Sequence, residues 1–195
     1  MKNLITSEYK IVPLCATNAF YLPLPQEPID VIGHLIPIYD GCQWIPQEQL
    51  LDTPITKVYP TEMFDPMDYV NKPSYAGFLA MFGEECVGTI RVSDRWQKNA
   101  FIDDLAINRA HRGKGIGARL MDEAVDWGRQ NGYWGMSLET QSWNLLAIRF
   151  YIKYGFRIGG IDNCVYRAMP EPYTKATALY MYMLPEDEYP RSTNQ

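Results

Sequence analysis

The segment Ala100-Phe-Ile-Asp-Asp-Leu-Ala-Ile107, continued by Arg112-Gly-Lys-Gly-Ile-Gly117 and a periodic run to Asn131, sets the architecture of this chain. Residues 100–107 read as a strand. Residues 115–131 read as a helix, with Ile116, Leu120, Ala124 and Trp127 on an apolar stripe and Gly132 as its stop. A glycine loop between strand and helix leaves backbone N–H groups unpaired and aims them at one point. Together with the positive end of the helix dipole, they suit a phosphate. Arg112 and Lys114 add cationic contacts. The spacing is neither of two familiar phosphate loops. No G-x-x-x-x-G-K-[ST] occurs, and Gly113, Gly115 and Gly117 are spaced G-x-G-x-G rather than G-x-G-x-x-G.

Working outward, Tyr75–Phe82 and Cys86–Val92 read as strands of a hairpin around Gly83-Glu-Glu, with Ala100–Ile107 as the next strand. Gly135–Gln141 is a further strand. Asn144–Tyr154 is a second helix, capped by Ser142 or Asn144 and ended by Gly155. Val165–Ala168 and Ala178–Leu184 read as closing strands. Hairpin strands followed by strand–helix–strand–helix–strand predict an α/β fold, a mixed sheet with helices packed on it, with a right-handed parallel crossover over 100–141. Residues 1–72 are rich in proline, which breaks ladders and helix interiors, so short elements and ordered loops packed on the body are expected there. Ile29–Tyr39 is apolar enough to pack on that body. Trp44, Tyr59, Phe64 and Tyr69 either line a substrate pocket on this side or anchor irregular chain to the core. Residues 73–184 form the core and 185–195 a frayed polar tail.

The chain has 195 residues, 47% of them apolar and 13% aromatic, ample for one packed domain. The net charge of −5 argues against nucleic acid as a main partner, since phosphate binding needs a basic face, and is compatible with a cationic small molecule. Cys15, Cys42, Cys86 and Cys164 are widely spaced and form no C-x-x-C pair, as expected of free thiols in a reducing cytoplasm. No third ligand accompanies His34 and His111, so no metal is expected. The N-terminus has no long apolar run of the secretory kind, and no stretch approaches the ~20 apolar residues that span a bilayer.

The run Arg112–Gly117 fits [RQ]-x-x-G-x-[GA], and Asn144-Leu-Leu-Ala147-Ile-Arg-Phe-Tyr151-Ile-Lys-Tyr-Gly155-Phe156 fits N-x-x-A-x-x-x-Y-x-x-x-G-F. At 3.6 residues per turn, Asn144, Ala147 and Tyr151 share a face. Both segments resemble the GCN5-related N-acetyltransferases. The resemblance implies a single-domain fold with its central sheet splayed at the acetyl-CoA site and helices on both faces. It implies acetyl-CoA as co-substrate, with its pyrophosphate on Arg112, Gly113, Lys114, Gly115, Ile116 and Gly117. Main-chain groups of Leu105, Ala106 and Ile107 would meet the pantetheine and polarise the thioester carbonyl. Asn144 and Ala147 would receive the pantetheine arm. Tyr151 would protonate the leaving thiolate, although a half-buried aromatic with its hydroxyl satisfied elsewhere is the other reading of that residue.

An amine acceptor must lose a proton before it attacks, and a carboxylate can hold the ammonium and take that proton. Asp103, Asp104 and Glu139 are the candidates. Neighbouring strand residues point to opposite faces, so one of Asp103 and Asp104 is expected to face the substrate and the other to point elsewhere. Phe101–Ile107, Leu138-Glu-Thr-Gln141, Gly155–Asp162, Ala176–Tyr182, Glu27–Tyr39 and Trp96 are similar to the streptothricin (nourseothricin) acetyltransferase branch of the family. That likeness implies acetylation of a primary amine on the β-lysine arm of streptothricin, hence antibiotic resistance, with Tyr75 and Trp96 beside the substrate. A polyamine, an aminoglycoside or a protein lysine is the alternative acceptor. Family analogy implies a dimer through the C-terminal strands.

Overall fold

The computed structural model describes residues 9–60, 62–95, 98–171, 173 and 175–185. Trp96 and nearly all of the 185–195 tail therefore lie outside the described residues. In chain order the strands are β1 (Tyr9–Pro13), β2 (Ile29–Tyr39), β3 (Trp44–Lys57), β4 (Tyr75–Phe82), β5 (Glu85–Asp94), β6 (Asn99–Ile107), β7 (Gly135–Gln141), β8 (Arg157–Asp162) and β9 (Ala178–Met183). The helices are α1 (Asp68–Asn71), α2 (Ile116–Gln130) and α3 (Leu145–Tyr154). They form two compact units. One comprises residues 1–27 and 61–134, the other residues 28–60 and 135–195, so the proline-rich stretch is shared between the two.

In the first unit β1, β4, β5 and β6 are antiparallel neighbours in that order. Helix α2 buries Ile116, Leu120, Met121, Ala124, Val125 and Gly128, and Trp127, expected on that stripe, instead lies half-buried with its ring 5.3 Å from Tyr133. The helix sits close to the sheet because Gly88 has no side chain: a Cβ there would come within 2.9 Å of Ile107 Cδ1 and 3.3 Å of Leu120 Cδ1. Arg91, three residues on and so on the other face, meets Tyr69 of α1. Helices thus cover both faces of this sheet. Tyr69 joins Leu14, Leu22, Leu24, Leu79 and Cys86 in the core on its side.

The second unit holds β7, β9 and β8 as antiparallel neighbours, helix α3, and the ribbon of β2 with β3. Two expectations change here. Val165–Ala168 is a turn, and the strand in that region is Arg157–Asp162, which pairs with β9. Tyr166 of the turn is buried beside Val31, Trp143, Ala176 and Ala178, so its apolar character serves the core rather than a ladder. The proline-rich segment, expected to hold only short elements, instead contains strands of 11 and 14 residues.

Prolines fit the ribbon because of its register. Pro37 stands opposite Pro46, and in an antiparallel pair such residues either exchange both N–H bonds or direct both N–H positions outward. Neither proline has an N–H, so this is an outward pair that costs the ladder nothing. Leu35, two residues earlier on the same edge, does direct its N–H outward, to the Ser142 carbonyl at 2.7 Å. Pro54 lies in the bulge of β3 between the pairs Gly33–Leu50 and Val31–Ile55.

Candidate active site

The first unit carries the glycine loop. Gly113 and Gly115 have φ of 74° and 81°, and a Cβ at either would meet nothing within 4 Å. Backbone conformation, not crowding, is what calls for glycine there. Gly115 is the N-cap of α2, with no side-chain cap and no acidic residue in the first turn. The first-turn N–H groups have no acceptor within the helix and stand ready for an anion. Lys114 and Gly117 flank them, exposed and half-buried respectively.

Arg112 turns back instead. Its Nε donates to the Ile107 carbonyl at 2.9 Å and its guanidinium lies 3.7 Å from the Glu27 carboxylate. Glu27 also accepts from the Arg109 N–H. Glu27 was not anticipated as a loop-holding residue; only its place in the Glu27–Tyr39 likeness pointed to it. His111 accepts or donates at Nδ1 to the Tyr9 hydroxyl, 3.0 Å away, and packs on Phe82, so it holds the loop to the sheet. Leu105, Ala106 and Ile107 pair with Ile90, Thr89 and Gly88 at the end of β6, just before the loop.

The acid pair behaves differently from a regular strand. The register of β6 against β5 shifts between Asp104, opposite Arg91, and Ile102, opposite Val92, which leaves Asp103 as an extra residue. Asp103 accepts from Ser93 Oγ at 2.9 Å, from the Tyr69 hydroxyl at 3.1 Å and from Arg95 at 3.2 Å. Asp104 lies 3.9 Å from Arg91 Nε. Ser93 and Arg91 share a face of β5, so both carboxylates stand on that face, and the expected division between two faces does not occur.

Arg91 is the hub, only 3% exposed. It donates to Glu62 and, at 3.1 Å, to the Tyr69 hydroxyl, and Phe64 covers its guanidinium at 3.9 Å. Burial works against its charge, but Asp104, Glu62 and Tyr69 outweigh burial and hold its pKa above the ordinary value. Burial raises the pKa of Asp103 despite its three donors, and that of Asp104 against the pull of Arg91. Three carboxylates face two guanidiniums, so the cluster has one negative charge in excess. Asp103 is occupied by donors, whereas Asp104 has the guanidinium and its neighbour's Leu105 N–H. Tyr75 is half-buried, edge-on to Tyr69 at 5.2 Å, and lines a cleft of about 340 Å³ with Tyr69, Glu123, Asp126 and Trp127.

The second unit carries Glu139, Asn144, Ala147 and Tyr151. Asn144 caps α3, its side chain accepting from the Ala147 N–H at 3.4 Å, and its amide donates to the Tyr59 hydroxyl at 3.1 Å. Tyr151 is buried, one turn beyond Ile148, with its ring beside Phe150 and Phe156. Glu139 accepts from the Tyr166 hydroxyl. Tyr59, expected either at a pocket or as an anchor, packs on Trp143 and Tyr173. Among the described residues no cluster of three His, Cys, Asp or Glu could hold a metal ion, and no helix is long and apolar enough to cross a membrane.

The family pattern described as "Acetyltransferase (GNAT) family" matches residues 44–156, from strand β3 through the acid pair and the glycine loop to α3. The chain belongs to the GNAT acetyltransferase family, and its mixed α/β fold is the family's. Streptothricin acetyltransferase A of Bacillus subtilis (strain 168) is 34% identical over 146 residues, 75% of this chain and 84% of that protein. A streptothricin acetyltransferase of Escherichia coli is 36% identical over 107 residues, 55% of this chain and 61% of the relative, so the match spans about three-fifths of its length. A Bacillus anthracis str. Ames protein assigned as a streptothricin acetyltransferase, solved with acetyl coenzyme A, superposes with a TM-score of 0.81 at 26% identity over 91% of this chain and 99% of that one. A nourseothricin acetyltransferase structure shares the fold, with a TM-score of 0.76 at 24% identity and the same coverage.

Proposed function

We propose that this acetyltransferase moves the acetyl group of acetyl-CoA to a primary amine on the β-lysine arm of streptothricin and so protects its host from the antibiotic. The observation that carries the reading is the 34% identity to streptothricin acetyltransferase A across 84% of that protein. The residues present fit the donor. Left-handed glycines open an uncapped α2 with no first-turn acid, which suits the pyrophosphate of CoA. In this reading the first-turn N–H groups and Lys114 take the pyrophosphate, Arg112 stiffens the loop, and Leu105–Ile107 offer main-chain groups to the pantetheine and the thioester carbonyl. Bound acetyl-CoA supplies an activated acyl carbon.

The acid pair divides its work. Asp103, with three donors, shapes the site, and Asp104 is the carboxylate that meets the substrate ammonium. The surplus negative charge of the cluster favours a cation. Asp104 or Glu139 accepts one ammonium proton. The freed amine attacks the thioester carbon, the N–C bond forms, and the C–S bond breaks as Tyr151 gives its proton to the departing sulfur, while the nitrogen sheds its second proton to water and Tyr151 regains one from solvent. Asn144 and Ala147 line the pantetheine side of α3. The four cysteines lie far apart in the sequence and are free, in keeping with a reducing cytoplasm where acetyl-CoA is supplied.

The test is release of free CoA thiol by the purified protein with streptothricin, followed by fragmentation of the product to place the acetyl group. Streptothricin-dependent release with the acetyl on the β-lysine arm is expected. Turnover of a polyamine, an aminoglycoside or a lysine peptide without turnover of streptothricin overturns the substrate.

A further inference from the structure

Polar side chains in the second unit form an unbroken line. Asn144 Nδ2 donates to the Tyr59 hydroxyl at 3.1 Å. Tyr59 donates to Gln141 Oε1, Gln141 Nε2 donates to the Tyr166 hydroxyl at 2.8 Å, and Tyr166 donates to Glu139 Oε1. Along this line each phenol accepts from one neighbour and donates to the next, and the two ends of the Gln141 amide are told apart by their partners. Every hydrogen therefore points the same way, from the N-cap of α3 to one carboxylate. Hydrogen bonds in such a sequence polarise one another, most of all where water is scarce.

The aromatic surroundings fix this line. The Tyr166 ring lies 5.5 Å from Tyr173, which lies 5.8 Å from Tyr59, and Tyr59 in turn lies 5.3 Å from the buried Trp143. Burial, and then Glu139, raise the pKa of Tyr166, which keeps it a neutral donor over the working pH range. Tyr180, the cross-strand neighbour of Glu139 on β9, also feels the charges of Glu139 and Asp162.

We propose that Tyr166 is a positioning residue for Glu139, the last donor of a one-way hydrogen-bonded chain through Gln141 and Tyr59 that ties the carboxylate to the N-cap of α3. The consequence is that Glu139 and the helix bearing Tyr151 are set by one network, so one of the two carboxylates offered to the amine's proton keeps a common alignment with the group that serves the leaving thiolate. The inference rests on the acetyl-transfer reading given above and extends it to residues that reading does not use.

Tyr166→Phe removes one hydroxyl and keeps the ring stacked on Tyr173. Steady-state rates with streptothricin and acetyl-CoA are measured for the parent, Tyr166→Phe, Glu139→Gln and the double variant. Tyr166→Phe is expected to lose about tenfold in kcat while KM for acetyl-CoA holds, and to cost nothing further once Glu139 is replaced, because Tyr166 acts through that carboxylate. An unchanged kcat, or losses that add in the double variant, overturns the proposal. The same cycle read by urea unfolding needs no substrate. Non-additive stabilities support the coupling of the two side chains and additive ones refute it, even if streptothricin proves not to be the acceptor. If Tyr166→Phe fails to fold, Tyr59→Phe interrupts the same line at its other phenol, and the same two cycles decide.

Discussion

At the scale of single residues, the buried charge of Arg91 organises the first unit's carboxylates. Replacing it by methionine keeps the stem and removes the guanidinium that Glu62, Tyr69 and Asp104 share. Loss of one partner from a fully buried pair costs about 3–5 kcal/mol. Here the Glu62 and Asp104 side chains are 60% and 32% exposed, so water can take over part of the role. The expected loss for Arg91→Met is therefore smaller, ~1–3 kcal/mol in urea unfolding. Tyr151 makes a cleaner test of chemistry. Tyr151→Phe should lower kcat by on the order of a hundredfold with acetyl-CoA affinity kept. Rates like those of the parent enzyme would remove the acid role from Tyr151 and leave the enzyme class intact.

At the scale of elements, helix α3 begins on a cap that also starts a polar chain. Asn144→Ala should cost ~1 kcal/mol from the cap alone, with a further loss from the hydrogen bond it donates to the Tyr59 hydroxyl, read as a lower urea midpoint. A stability equal to the parent's would mean that the Asn144 contacts carry no energy. This helix and the glycine loop were legible in the sequence because their signals are local: glycines at fixed spacing, a capping asparagine, a stop at Gly155. Other elements were not legible, for physical reasons. The extra residue at Asp103 depends on pairing with β5, and no local pattern records it, so the faces of the acid pair could not be read from alternation. Strand β8 contains Gly159 and Gly160, which weaken a strand signal; Gly159 is glycine because a Cβ would come within 2.4 Å of the Tyr182 ring. The ribbon was hidden by prolines that look like breakers until the register is known. Tyr166 gave an apolar signal that belonged to packing, and its hydroxyl's destination on Glu139 lies 27 residues away in sequence.

At the scale of the whole molecule, charge and protons set the response to conditions. The net charge of −5 and a cationic acceptor predict a salt-sensitive KM. Raising ionic strength from 0.01 to 0.15 M shortens the screening length from ~30 to ~8 Å, and KM for streptothricin should rise. A KM that ignores salt would place recognition in contacts other than long-range charge. Asp103 gives a second, signed expectation. Its native pKa lies above the ordinary 3.8 because of burial, so the folded state binds this proton more tightly than the unfolded chain. Its contribution to stability is fully present below the unfolded value and is lost as pH rises through the folded one. The stability of the parent relative to Asp103→Asn should therefore fall as pH rises above about 4, measured by urea unfolding at several pH values. A difference that grows with pH over that range would reverse the assignment.

The facing pair Pro37–Pro46 has one more consequence. A long two-stranded ribbon presents two open margins, and such margins invite strands from other chains to add on. A proline on each margin withholds the donor that an incoming strand needs at that point, and its ring fills the space where that strand would lie. The inner margin is still served at Leu35 by Ser142, but beyond it the ladder has nowhere to continue. The two prolines thus act as guards against sheet-by-sheet growth from the ribbon.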